Sequence, residues 1–307
     1  MKSAERRTPA PADALVSAAW LERHLGDPNV VVADMRWRED GSADRLYAHR
    51  RVPGAKRLDW SRDIVEPAGP IPFMLAGPER FARAIGELGV ADETTVVAYS
   101  DQRGSGPFRL WWAFRTYGHD TVRILDGGFE LWVAGRGPVE SGVTAGPARP
   151  QTWTPGPSLD PRPVASARDV LAARDDAGTV VLDSRLPDQY RGEVVWFETG
   201  SVPADEDGIA RTPRGELRAG RVPWAVNVPW RSLYGRDGRL LDAEDLRRLL
   251  ANAGVSPETR AIAYCGVGIS AAALLFAARL AGHDRVSLYD GSWDEWGRLP
   301  DVPVARG

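Results

Sequence analysis

The chain has 307 residues, of which 26% are charged and 43% hydrophobic, with a formal net charge of −3. That is room for two ordinary domains or one large one, without the basic footprint that nucleic acid or an anionic lipid surface requires. No apolar run reaches a bilayer-spanning length, and the single cysteine, Cys265, excludes an internal disulfide and a cysteine-built metal centre. His24, His49, His119 and His283 are scattered without ligand spacing, so neither a metal nor a cofactor is expected.

The first segment, Met1 to Asp13, is charged and proline-bearing with no apolar stretch. It reads as a loose tail rather than a signal peptide or anchor, and a cytoplasmic location is expected. Ser17 then stands where an N-cap belongs, ahead of Trp20-Leu21 and Leu25, and a short β-branched run ends at Asp34. A helix is predicted over Pro78 to Leu88, an apolar run ends at Tyr99, and a third helix and a last short strand precede Asp126-Gly127-Gly128. A proline- and glycine-rich stretch from Ala145 to Pro157 follows and reads as a linker.

The same order then repeats. Ser166 precedes Val170-Leu171, a β-branched run ends at Asp183, a helix is predicted over Ala243 to Ala253, and an apolar run ends at Tyr264. The repetition is literal. Gly118-His119-Asp120, Asp126-Gly127-Gly128 and Trp132 return as Gly282-His283-Asp284, Asp290-Gly291-Ser292 and Trp296, displaced by 164 positions (Gly118 to Gly282). Tyr99-Ser100 returns as Tyr264-Cys265, and Arg51-Val52-Pro53 as Arg221-Val222-Pro223. The chain therefore divides into one domain over 12–144, a linker over 145–160 and a second copy over 161–304. Short buried strands alternating with helices predict the α/β class, each copy a mainly parallel sheet covered by helices on both faces. Ser17 answers Ser166 at 149 positions and Val52 answers Val222 at 170, so the second copy carries 21 extra residues between Asp183 and Arg221. This insertion, polar, turn-rich and carrying Arg211, Arg214 and Arg218, reads as a lid or rim of the site.

The chemistry is concentrated in one loop. The apolar run Ala261-Ile262-Ala263-Tyr264 passes into Cys265-Gly266-Val267-Gly268-Ile269-Ser270 and then into an alanine- and leucine-rich helix. Glycines let the backbone curl so that several N–H groups converge on one point, and the following helix aims its positive end there. A lone cysteine is ordinarily a small buried hydrophobe. At the carboxyl end of a parallel strand, where such sheets bind ligands, this loop instead presents a thiolate or holds an anion. The matching position in the first copy is Ser100, a poor nucleophile without a base.

These residues resemble the tandem rhodanese family of sulfurtransferases over nearly the whole chain, from about Leu15 to Val304. The motifs are Arg109-Leu110-Trp111-Trp112-Ala113-Phe114-Arg115, Asp126-Gly127-Gly128, Asp183-Ser184-Arg185, Tyr190-Arg191-Gly192, the Cys265 loop, and Asp290-Gly291-Ser292-Trp293-Asp294-Glu295-Trp296. The resemblance implies an inactive first domain and a catalytic second one, with the site in the cleft between them. It implies a sulfur carried as a persulfide on Cys265, a small sulfur donor, and a thiol or cyanide acceptor, thioredoxin-like proteins being one class of thiol. Gly266 to Ser270 would bind the donor through their N–H groups.

Family loops that use thiosulfate resemble Cys-Arg-Lys-Gly-Val-Thr, and those that use 3-mercaptopyruvate resemble Cys-Gly-Ser-Gly-Val-Thr. Gly266 and Gly268 match the second, while Val267 replaces its serine. Ser61 and Phe73 stand where that serine's acid and histidine partners align, and Gln189 stands where a substrate-binding arginine is common. The absence of Lys and Arg from the loop leans toward 3-mercaptopyruvate.

Arg191 and the arginines of the insertion are the candidate substitutes for the missing arginine. Arg185, two residues past Asp183, reads either as a brace for that aspartate or as a donor ligand. Trp293 reads either as a pocket wall or as core. Two other classes compete. A Cys-x5-Arg phosphatase would need an arginine where Ala271 stands. A non-enzymatic sulfur carrier of the same fold would take up sulfur at Cys265 without turning it over.

Overall fold

The computed structural model describes residues 11–142, 149–197 and 200–307. The tail up to residue 10 and part of the linker, residues 143–148, lie outside them. Each copy is built on a five-stranded parallel sheet. In the first, the strands stand in the spatial order Leu15–Val16, Val122–Leu125, Thr95–Tyr99, Val30–Asp34, Lys56–Arg57. In the second, the order is Val164–Ala165, Val286–Tyr289, Arg260–Tyr264, Thr179–Asp183, Ala225–Asn227, the same arrangement strand for strand. The central registers repeat too, Val32 facing Val97 in one copy and Val181 facing Ile262 in the other.

Local chemistry sets the helix starts. The Ser17 hydroxyl accepts from Trp20 N at 3.2 Å, Ser166 and Asp169 form a capping box, and Asp242 accepts from the N–H groups of Glu244 and Asp245. The helices predicted over Pro78 to Leu88 and Ala243 to Ala253 run Pro78–Glu87 and Ala243–Asn252, each stopping one residue earlier.

The two copies meet through a pair of buried helices, Gly106–Thr116 and Ile269–Leu280, which are apolar on nearly every face. Phe276 packs edge-on against Phe108 and Trp111, with ring centroids 5.2 and 4.9 Å apart, so one core runs across the domain boundary. This pairing positions the site, because the loop preceding each of these helices opens into the same cleft.

The insertion is more ordered than its polar composition suggests. It forms two antiparallel hairpins, Val194–Phe197 with Gly200–Pro203 and Ile209–Thr212 with Gly215–Arg218. Val195, Ala210 and Leu217 are buried in a small core with Trp293 and Trp296. Apolar residues at the positions that reach this core outweigh the turn residues around them. Among the described residues, no helix is long and apolar enough to cross a membrane.

Candidate functional site

Strand Arg260–Tyr264 is the centre of its sheet, flanked in register by Thr179–Asp183 and Val286–Tyr289, which fixes where its last residue points. The loop that follows is tied to the next loop along the sheet edge. Cys265 N donates to Ser292 Oγ at 3.1 Å, while Trp293 N and Asp294 N donate to the carbonyls of Cys265 and Gly266, both at 2.9 Å. Ser270 Oγ lies 3.0 Å from Ser184 Oγ on the other side.

With the carbonyls held from outside, the N–H groups are left over. Among the described residues, none of the five amides from Gly266 to Ser270 donates a hydrogen bond within the protein. Five unpartnered donors beside one sulfur form a concentrated site for negative charge. Cys265 itself is 3% exposed and lines the floor of a cleft of about 1150 Å³ together with Gly266, Val267, Ile269 and Ser270.

Gly268 is where the chain needs a glycine. It lies at φ +80°, and a Cβ there would fall 2.6 Å from Asp290 Oδ1 and 2.9 Å from the Asp290 carbonyl oxygen. Gly268→Ala is therefore expected to lower stability by roughly 1–2 kcal/mol from the left-handed backbone alone. The clash is relieved only by moving the loop, and thermal unfolding of Gly268→Ala checks the loss.

Asp290 connects this loop to the first copy. Its carboxylate forms a buried ion pair with Arg109 and accepts from Leu75 N at 2.8 Å. Arg109, fully buried against Trp112, also donates to the carbonyl of Phe73 at 3.0 Å. The copy without a thiol thus supplies the support on which the thiol loop rests.

The first copy's own loop is closed. Gln102 N donates to Glu130 Oε1 at 2.6 Å, Gly104 N to the carbonyl of Asp101 at 2.7 Å, and Arg38 forks onto the Asp101 carboxylate. Glu130 occupies from within what an external anion would meet in the second copy.

The predicted residues separate clearly. Cys265 and its loop come together as described. Arg185 forks onto Asp183 at 3.0 and 2.6 Å and donates to the Gly220 carbonyl, a brace that recurs as Arg36 on Asp34 in the copy lacking a thiol. Burial alone would weaken its charge, but Asp183 outweighs this and holds the Arg185 pKa above its ordinary value. Arg185 nonetheless lines the cleft, and its Nη1 has no hydrogen-bond partner. Arg191 does not reach the cleft. It is 46% exposed and forks onto Glu193, whose hydrogen bond raises its pKa. Trp293 is core: it is 1% exposed, stacks on Tyr264 and donates to the carbonyl of Arg218.

The insertion arginines do not replace the missing one either. Arg218 donates to the carbonyls of Trp296, Gly297 and Val302, and Arg211 lies 3.8 Å from Asp205. Gln189 does line the cleft, with its Oε1 accepting from Leu186 N. Ser61 hydrogen-bonds Trp37 and Asp59, Phe73 packs among aromatic rings, and among the described residues no histidine lines the cleft and no proton relay of the serine–acid–histidine kind is assembled.

What the sequence reading missed is an aromatic wall. Trp37 and Trp60 of the first copy and Trp196 of the insertion line the cleft, with Trp37 centroids 5.2 and 6.2 Å from the other two. Trp196 Nε1 donates to Glu39 across the domain boundary at 3.0 Å, and its ring lies 3.6 Å from where a Gly266 Cβ would sit. The available signal was a tryptophan amid the β-branched start of the insertion. Among the described residues, no cluster of three or more His, Cys, Asp or Glu could hold a metal ion.

Against known proteins, the family profile described as "Rhodanese-like domain" matches residues 17–135 and again 166–299. The chain is 33% identical to the sulfur carrier protein TtuD of Thermus thermophilus, covering 96% of this chain and 97% of that one. It is 31% identical to the putative thiosulfate sulfurtransferase 1 of Mycobacterium bovis, covering 97% and 99%. Among solved structures, SseA of Escherichia coli, a 3-mercaptopyruvate sulfotransferase, superposes with a TM-score of 0.73 at 31% identity, over 91% of this chain and 98% of that one.

Proposed function

The chain belongs to the rhodanese-like domain family, in two copies, and from that membership we propose that it moves a sulfane sulfur from 3-mercaptopyruvate to a thiol through a persulfide on Cys265. The observation that carries this reading is the set of five amides, unpartnered among the described residues, in the loop that begins at the only thiol lining the cleft. A thiolate at Cys265 attacks the donor sulfur. The new S–S bond forms as the donor's C–S bond breaks, its electron pair leaves on the carbon as an enolate, and the donor's thiol proton ends on that carbon to give pyruvate. The outer sulfur is left anionic, and the amides of Gly266 to Ser270 face it, preorganised for charge as in an oxyanion hole. An acceptor thiolate, or cyanide, then attacks that outer sulfur and returns the electron pair to Cys265.

Thiosulfate is the competing donor, with sulfite as the leaving group. The loop carries no lysine or arginine, and Arg185, a buried cation lining the cleft, is committed to Asp183 and the Gly220 carbonyl apart from its Nη1. Arg103, Arg231 and Arg236 line the same cleft but are exposed, so one partly available buried cation is left for the donor, which suits a monocarboxylate better than a dianion. The expected result is therefore a higher kcat/KM for 3-mercaptopyruvate than for thiosulfate with the same acceptor, and the reverse order would defeat this choice of donor. A cytoplasmic setting belongs to the same proposal, since a single catalytic thiol has to stay reduced.

The sulfur carrier among the relatives supports a second reading, uptake without turnover. Intact-mass measurement separates the two. A gain of one sulfur that added thiols remove repeatedly indicates an enzyme, whereas a gain that persists in their presence indicates a carrier.

A further inference from the structure

The cleft is far larger than a three-carbon donor needs, and its charges are unevenly matched. Asp101 and Asp126, both in the lining, are paired with Arg38 and Arg239. Glu39 and Glu130 are held by the indole of Trp196 and the amide of Gln102, while Asp40 accepts from Ser42 N and Asp237 lies 3.7 Å from Arg239. Arg38 and Arg185 are paired as well, but Arg103, Arg231 and Arg236, also lining the cleft, form no ion pair among the described residues and are exposed.

These three arginines are neighbours at the rim, built from both copies. The Arg103 guanidinium donates to the carbonyl of Gly235 at 3.2 Å and lies over the Tyr234 ring; Tyr234 packs on Trp230, and Arg231 lies over Trp230 at 5.3 Å. Stacking on rings holds guanidinium planes in place and leaves their edges free to fork onto carboxylates. The patch is also connected to the thiol loop. Trp230 N donates to the Ser184 carbonyl at 2.9 Å, and the Ser184 hydroxyl touches Ser270.

We propose that this rim is an acceptor subsite, in which Arg231 and Arg236, with Arg103, hold the carboxylates of a thiol carrying at least two of them while its sulfur reaches Cys265. The inference rests on the sulfur-transfer reading and adds the acceptor's chemical class. A short donor must place its sulfur inside the amide ring on the cleft floor, so its one carboxylate stays near that ring. The rim is left to the second substrate, whose thiolate attacks the outer persulfide sulfur, forming an S–S bond as the Cys265 S–S bond breaks.

The test uses the full chain, first loaded with donor and weighed to establish the persulfide, then given as acceptor glutathione, whose two carboxylates stand several bonds from its thiol, or glutathione diethyl ester. In the native protein the KM for glutathione should be about tenfold lower than for its diethyl ester, the equivalent of one or two charge-assisted contacts. High salt should erase the difference. In the double variant Arg231→Gln, Arg236→Gln, whose side chains are exposed, the ratio of the two KM values should fall to about one. Equal KM values in the native protein, or a preference that survives in the double variant, would overturn the proposal. Failure of the persulfide mass to form would instead sink the sulfur-transfer reading, and this inference with it.

Discussion

Cys265→Ser is expected to lower sulfur transfer by at least about 10³-fold, the scale on which removing a covalent nucleophile acts, and to abolish the donor-induced gain of one sulfur in intact mass. The protein carries a partial precedent for the change, since Ser100 stands at the same place in the first copy. There the loop has turned inward, with the Gln102 and Gly104 amides donating to Glu130 and to the Asp101 carbonyl. Serine is close in size to cysteine and Cys265 makes its backbone contacts through N and O, so the melting temperature should move little. Activity above a few per cent of the native value in a folded Cys265→Ser protein would remove the thiol from the mechanism.

The largest loss of stability is expected at Arg109. Its ion pair with Asp290 is wholly inside the protein, at 0% and 4% side-chain exposure. Removing the cation strands a buried carboxylate, which costs about 3–5 kcal/mol. For a chain of this size that is a fall in melting temperature of roughly 10 °C. Arg109→Met should show the loss, and the double variant Arg109→Met, Asp290→Asn should recover part of it, because the stranded charge is gone. Asp290 also lies against Gly268, so the single variant should take up sulfur more slowly even well below its melting temperature. Thermal denaturation of the two variants, with mass gain measured at low temperature, reads both effects. Equal stability of Arg109→Met and the native chain would show that the pair does not join the copies.

Much of the architecture is legible in the sequence because it depends on short-range chemistry and on repetition. Ser17 and Ser166 cap where capping residues belong, and Tyr99 and Tyr264 end strands whose following loops differ by a serine and a cysteine. The resemblance placed the rhodanese fold correctly, since its motifs are contiguous stretches that pattern alone exposes. The arginines were harder to read. Arg185 precedes the short helix Pro187–Arg191 and Arg191 ends it, yet one faces Asp183 in the interior and the other faces Glu193 in solvent. Sequence spacing gives no indication of which of the two meets the cleft.

The insertion shows the same limit. Its length and position announced a rim, but Trp196 acquires its role only by touching Trp37, Phe73 and Glu39, residues more than a hundred positions away in the other copy. By itself, the sequence determined the duplication, the α/β sheets and the one thiol in a glycine-bearing loop, because caps, strand periodicity and glycine backbone freedom all act over a few residues. Only the tertiary structure decided that Arg109 underpins the loop, that Arg191 and Trp293 are absent from the cleft, and that three arginines share its rim. Those outcomes depend on how two domains dock, and docking is set by buried surfaces contributed from distant parts of the chain.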